Sequence, residues 1–162
     1  MTTSLIELVA GLPAGPSEHV MAFGTPLRVP AGSVLFRLGD LADRVFVIER
    51  GQIALTMPIQ VRDREEAVLV EERRPGETVG WSALIPPHRF TLTATAPLDT
   101  DVLAIGRGTL LEYLHAHPDA GYIVMRNLAE IMGQRLQVFQ AMWLREMQHG
   151  IERRTQPASG AA

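Results

Sequence analysis

The stretch "PGETVGWSALIPPHRFTLTATA", residues 75–96, holds two glycines four apart, an indole directly after the second, a Pro-Pro step, and a run in which threonine alternates with apolar residues. A glycine turn followed by small and apolar residues can open a short helix whose backbone N–H groups cradle an anion. The same residues also suit a plain turn between strands. Which reading holds depends on the chain to either side.

Upstream, from Leu27 on, short β-branched and aromatic runs are punctuated by Gly and Pro at close intervals, the pattern of an all-β sandwich or roll. Residues 44–49 and 52–57 flank Arg50-Gly51, a hairpin signal. Residues 61–66 read as a charged hairpin tip, and 67–72 return as a strand. Residues 91–96 and 100–105 are the last two of about eight strands. Ahead of the roll, residues 4–12 read as a short amphipathic helix with Ser4 as N-cap and Glu7 at capping-box spacing, stopped by Gly11 and Pro13. The following residues, to Pro26, read as loop or a second short helical turn.

Downstream of Ile105 the period becomes helical. Residues 106–117 give a short helix and 117–150 a long one, with Pro118 at its first position, Asp119 in its first turn and Gly150 as its stop. Met125, Leu128, Met132, Leu136, Phe139, Trp143 and Met147 recur at spacings of three and four. Such a stripe packs on the roll, and Ile131, Val138 and Met142 widen it enough for a second partner. The expected organisation is a helical lead-in over 1–26, a β-roll over 27–105, packing helices over 106–150 and a disordered tail over 151–162.

Composition narrows the function. The chain has 162 residues, enough for one domain with a sizeable core, and a formal charge of −3, so no net basic field draws it to nucleic acid or an anionic membrane. Its 15 basic residues are all arginine, which leaves no Schiff-base lysine. With no cysteine there is no disulfide, thiolate nucleophile or cysteine-bound metal, in keeping with a cytoplasmic protein. No signal peptide and no membrane-spanning run is expected.

Several motifs in order carry a resemblance. Residues 31–36, "AGSVLF", precede Gly39-Asp40; residues 45–48, "VFVI", precede Gly51; "RPGETVG" leads into the opening stretch; and "HPDAGYIVMRNLAEIMGQRLQ" begins the long helix. In this order and spacing the chain, over 27–150, resembles the cyclic-nucleotide-binding domain of the catabolite activator/Fnr superfamily. The resemblance implies a mainly β fold with flanking helices: a jelly roll of the double-stranded β-helix type followed by a long C-terminal helix. It also implies that the opening stretch is the phosphate-binding cassette. In that family a Glu after the cassette glycine grips the ribose, an Arg downstream neutralises the cyclic phosphate beside a Ser or Thr, and the C-helix closes over the base and forms a dimer seam.

Carried over position by position, the cassette falls on Gly80, Trp81, Ser82 and Ala83. Gly80 and Ala83 match, while Trp81 stands in the place of the sugar-binding Glu. Counting back from Ala96, the Arg-Ser/Thr pair falls on Phe90-Thr91; Thr91 matches and Phe90 does not. Arg89 is one residue early, and in extended chain one residue reverses the side chain, so Arg89 enters the pocket only if the 86–88 loop or a bulge turns it. Phe139 and Gln140 take the position of the helix lid, and Met132, Leu136, Phe139 and Trp143 that of the dimer seam.

Bland readings stand beside these. Trp81 is a stacking platform, a plug, or ordinary packing. Arg89 is a displaced phosphate ligand or an exposed loop residue. Thr93 and Thr95 read as β-formers. His19, His88, His115, His117 and His149 are scattered, so neither a metal site nor a cupin-type enzyme is expected. The run Glu71-Glu72-Arg73-Arg74 reads as a solvated face.

The expectation is a non-enzymatic sensor domain with weak or no classical cyclic AMP binding, no certain cofactor, an unknown small ligand, a protein partner and a homodimer. Losing both charged grips, each worth about 1.5–3 kcal/mol, weakens a cyclic nucleotide by roughly two to four decades. Only 12 residues follow Gly150, against the roughly 50 that a DNA-binding domain needs, so no DNA binding is expected from this chain. The alternatives are a ligand-free interaction module plugged by Trp81 and Phe90, and a genuine cyclic-nucleotide binder using Arg89.

Overall fold

The computed structural model describes residues 6–155. The chain falls into two compact units, Met1–Ala129 and Glu130–Ala162. The first contains a β-roll of eight strands: β1 Gly24–Val29, β2 Val34–Phe36, β3 Arg44–Arg50, β4 Ile53–Val61, β5 Arg64–Arg73, β6 Thr78–Val79, β7 Thr93–Thr95 and β8 Thr100–Gly106. They form two antiparallel four-stranded sheets, ordered β1-β8-β3-β6 and β2-β7-β4-β5. Helix α1, Ala14–Ala22, precedes the roll; α2, Arg107–Ala116, and α3, Pro118–Thr155, follow it.

Burial explains the two kinds of strand. Val45, Phe46, Val47 and Ile48 of β3, and Val102, Leu103, Ala104 and Ile105 of β8, are continuously buried. Runs of that kind belong to central strands covered on both faces. At the start of β4, buried Ile53 and Leu55 alternate with more exposed neighbours, as on a strand with one face to the core. The β4–β5 hairpin turns at Arg62-Asp63, with Val61 opposite Arg64 and Arg62 in the left-handed region at φ 57°. That is the charged tip expected from sequence.

The hairpin expected at Arg50-Gly51 is not one. Strand β3 pairs with β6 and β8, whereas β4 pairs with β5 and β7, so the chain changes sheets at this turn. The cause lies in Thr100. Its hydroxyl accepts from the Gln52 N–H at 3.0 Å and lies 2.9 Å from the Gln52 carbonyl, which holds the chain against the start of β8. Gly51 has φ 93°, and a Cβ there would fall 2.5 Å from Thr100 Oγ1 and 2.7 Å from the Asp99 carbonyl oxygen. Only glycine fits this crossing.

Four further expectations need correction. The N-terminal helix is a single 3-10 turn, Glu7–Val9, while its proposed cap Ser4 lies outside the described residues. Glu7 is not a capping residue; its carboxylate accepts from the Thr78 N–H at 2.8 Å and pairs with Arg73. Arg73 is not on a solvated face, being 3% exposed among Glu7, Glu71 and Glu77. Finally, α3 runs through Gly150 to Thr155. A helix stop needs a left-handed residue, and Gly150 is not among the glycines of positive φ.

Within the first unit, α3 buries Ala120, Val124, Asn127 and Leu128. This face is offset from the expected stripe, where Met125 is only half-buried. Asn127 fixes the rotation. Its Nδ2 donates to the Leu8 and Ala10 carbonyls at 3.1 and 2.9 Å, so this side chain must face inward to satisfy the 3-10 turn.

Candidate functional site

Strand β6 delivers the chain to Gly80 at φ 79° and ψ 26°, and a single 3-10 turn, Trp81–Leu84, follows. The turn closes through Ala83 N–H to the Gly80 carbonyl at 3.0 Å. A Cβ on Gly80 would lie 3.2 Å from ring carbons of both Phe46 and Phe90, and 3.3 Å from the Arg44 carbonyl. Left-handed backbone and close approach both require glycine here. Ser82, Ala83 and Leu84 are buried; Trp81 is half-buried. Among the described residues the Trp81 indole N–H is buried and has no hydrogen-bond partner.

The loop after this turn contains a cis Pro86-Pro87 bond and His88 at φ 57°. His88 Nδ1 sits 2.9 Å from the Ala83 carbonyl, which can only accept, so Nδ1 carries the proton and ties the loop back to the end of the turn. Residues 88–90 then run alongside 39–42. The Ala42 N–H donates to the His88 carbonyl, Phe90 N–H to Asp40, and Gly39 N–H to Phe90, at 2.7, 3.0 and 2.8 Å. Leu41 and Arg89 form a bridge within this pairing.

Successive residues of such a segment face opposite ways. Phe90 is buried and lies flat on Phe36, with ring centroids 3.8 Å apart and planes 11° from parallel. Phe36 stacks in turn with Phe46 at 5.8 Å. Arg89 is exposed, and its Nη1 donates to the Gly39 carbonyl at 2.9 Å. Thr91 is exposed. The structure therefore brings Gly80 and Phe90 into contact, with Trp81, Ser82 and Ala83 on the turn that starts at Gly80. Arg89 and Thr91 are solvent-facing neighbours of Phe90. Phe139 and Gln140 belong to the second compact unit, where Phe139 is half-buried and Gln140 exposed. Met132, Leu136, Phe139 and Trp143 lie four, three and four residues apart on that part of α3, with Leu136 59% and Trp143 62% exposed.

Sequence reasoning missed the ion cluster just ahead of the Gly80 turn. Arg73 reaches Glu7 through Nη2 and Glu71 through Nη1 at 2.7 Å, with Nε 3.7 Å from Glu77. Burial opposes the charge on Arg73, but the hydrogen bond to Glu7 and the fields of Glu7, Glu71 and Glu77 outweigh it and hold the guanidinium above its ordinary range. Because Glu7 also accepts from the Thr78 N–H, the cluster fixes β6 two residues before Gly80. No local sequence signal links Glu7 to Arg73, 66 positions away. Among the described residues no three His, Asp or Glu side chains are grouped to hold a metal ion.

Comparison with known proteins agrees with this fold. The family described as the cyclic nucleotide-binding domain matches residues 26–117. Pycsar effector protein XpPycTIR of Xanthomonas perforans is 26% identical over 74% of this chain and 36% of its own length. The cyclic AMP receptor protein of Thermus thermophilus is 29% identical over 66% of this chain and 46% of its own. The chain thus spans less than half the length of these curated relatives. Among solved structures, the N-terminal domain of a transcriptional regulator from Streptomyces coelicolor superposes with a TM-score of 0.65 at 26% identity, covering 79% of this chain and 89% of that one.

Proposed function

We propose that this chain, which belongs to the cyclic-nucleotide-binding domain family, is a non-enzymatic regulatory module whose cassette has exchanged its charged grips for aromatic packing. Cyclic AMP and cyclic GMP are held far more weakly than in a cassette with both grips, and the module acts through a protein partner in the cytoplasm. Among the described residues no helix is long and apolar enough to cross a membrane.

The observation that carries this reading is the stacking of Phe90 on Phe36, 3.8 Å apart, beside Gly80. Phe90 occupies the position of the family's phosphate-binding Arg. A phenyl ring offers a cyclic phosphate neither charge nor donor, and moving Phe90 aside for a ligand would give up its packing. Trp81, in place of the ribose-binding Glu, carries a buried indole N–H that can donate but not accept, whereas ribose hydroxyls need an acceptor for their protons. Arg89, on the opposite face from Phe90, is exposed and donates from Nη1 to the Gly39 carbonyl.

The same stacking favours a second reading, a ligand-free interaction module with a self-filled pocket. The two differ in what the backbone cradle can still do. Calorimetry of the wild type with cyclic AMP and cyclic GMP is expected to give no binding in the low-micromolar range; such binding would overturn both readings. The Trp81→Glu, Phe90→Arg double variant is expected to gain affinity by roughly two to four decades if the cradle is intact. A folded double variant with no gain would mean that the position-by-position carry-over, or the pocket itself, is wrong.

A further inference from the structure

We propose that the cavity between α1 and the α2–α3 junction is a second ligand site, one that takes a small amphipathic amine. Its volume is about 460 Å³, inside the range of roughly 300–1,000 Å³ in which small-molecule sites fall. All its lining residues lie in the first compact unit, and none belongs to the cassette segment 80–91.

The walls are apolar and stiff. Leu12, Pro13 and Pro16 line it from the N-terminal side, and Pro118 and Ile123 from α3. Three prolines with fixed φ cannot relax inward to fill the space. Tyr113 closes another side and is itself held by rings: it stacks with His19 at 4.8 Å and with His117 at 4.2 Å, while Phe23 meets both His19 and Tyr113 edge-on. The prolines and stacked rings fix the shape of this cleft, which is open to solvent on the side of Pro13, Ala116, His117, Pro118 and Asp119.

The polar groups set the chemistry of the ligand. His117 Nδ1 is 2.9 Å from the Tyr113 carbonyl. A carbonyl only accepts, so Nδ1 carries the proton and Nε2 of the neutral ring is left as an acceptor. Asp119 supplies a carboxylate, again an acceptor only. No arginine lines the cavity; Arg126 approaches Gly11 nearby but is not in the lining. The complement of apolar walls with a carboxylate and a basic ring nitrogen is an apolar body bearing an ammonium group. An anion of the same shape would meet Asp119. Asp119 also suits the N-terminal end of α3 as a helix-dipole partner, so the assignment rests on the cavity and its acceptors together, not on the acid alone.

The test uses three probes with one ring and one two-carbon arm: tryptamine, tryptophol and indole-3-propionate. Each is titrated into the whole chain and followed by its backbone amide signals in NMR. Tryptamine is expected to shift signals over residues 116–123, with tryptophol weaker by at least about fivefold and indole-3-propionate weaker still. Asp119→Asn should abolish the preference for the amine while retaining tryptophol, and Ala116→Trp should fill the cavity and stop all three. Circular dichroism identical to wild type establishes that both variants are folded. Equal affinity for the three probes, no shifts up to their solubility limits, or shifts centred on residues 80–91 would each overturn the assignment.

Discussion

Phe90 lies face to face with Phe36, 54 positions earlier in the chain, and the edge of its ring closes on Gly80. One buried side chain therefore joins the Phe36 stack to the turn at Gly80. Phe90→Ala removes a buried ring from this stack and is expected to cost about 3–5 kcal/mol of stability, read from urea unfolding. A loss below about 1 kcal/mol would mean that the ring is not part of the core.

Arg73 is the second point of leverage. Arg73→Ala leaves Glu7, Glu71 and Glu77 grouped without their cation, and breaking a buried pair of this kind costs about 3–5 kcal/mol. The loss should appear in chemical denaturation. Because Glu7 also accepts from Thr78, amide exchange at Thr78 and Val79 should rise in the variant. Unchanged exchange there would separate the ion cluster from the Gly80 turn.

Asp99 gives a pH dependence of known sign. Its carboxylate accepts from the Ala31 N–H and from Arg28 Nη2, each at 2.9 Å. The backbone hydrogen bond first, then Arg28, holds the carboxyl below the usual aspartate range. A depressed folded pKa contributes stability that is complete above the unfolded value, near 4, and is lost as pH falls through the folded one. Denaturant midpoints of wild type and Asp99→Asn should converge as the medium is acidified below pH ~4. Parallel profiles would show that the carboxylate contributes nothing.

The exposed helix face addresses the expected seam. Leu136→Glu with Trp143→Glu changes two side chains that are already more than half exposed, so the fold should survive. If the wild type is a dimer through this face, light scattering should show the double variant as a monomer. A wild type that is monomeric at high micromolar concentration removes the seam altogether.

Much of this architecture was legible because it is local. The strands follow from β-branched runs between Gly and Pro, the Arg62-Asp63 turn from its flanking charges, and the start of α3 from Pro118 and Asp119. The parity of Arg89 and Phe90 was also readable, since adjacent residues in extended chain face opposite ways. What escaped was long-range. Arg50-Gly51 has the chemistry of a hairpin, and only Thr100, 49 positions on, turns it into a crossing between sheets. Glu7 has capping-box spacing, yet its partners are Arg73 and Thr78. Gly150 has the composition of a stop, but glycine in a helix costs only about 1 kcal/mol, and α3 continues past it. The rotation of α3 was set by Asn127, a polar residue outside any apolar count.

The pairing of β1 with β8 has a mechanical consequence. Gly24 stands opposite Ile105, so the first strand of the roll begins where the last one ends. Helix α1 finishes two residues before Gly24 and α2 begins two residues after Ile105, so both helices attach at the same end of this strand pair. The His19–Tyr113 stack joins them a few residues from that attachment. The stack ties the two helices together beside their shared attachment, so displacing one strains its contact with the other.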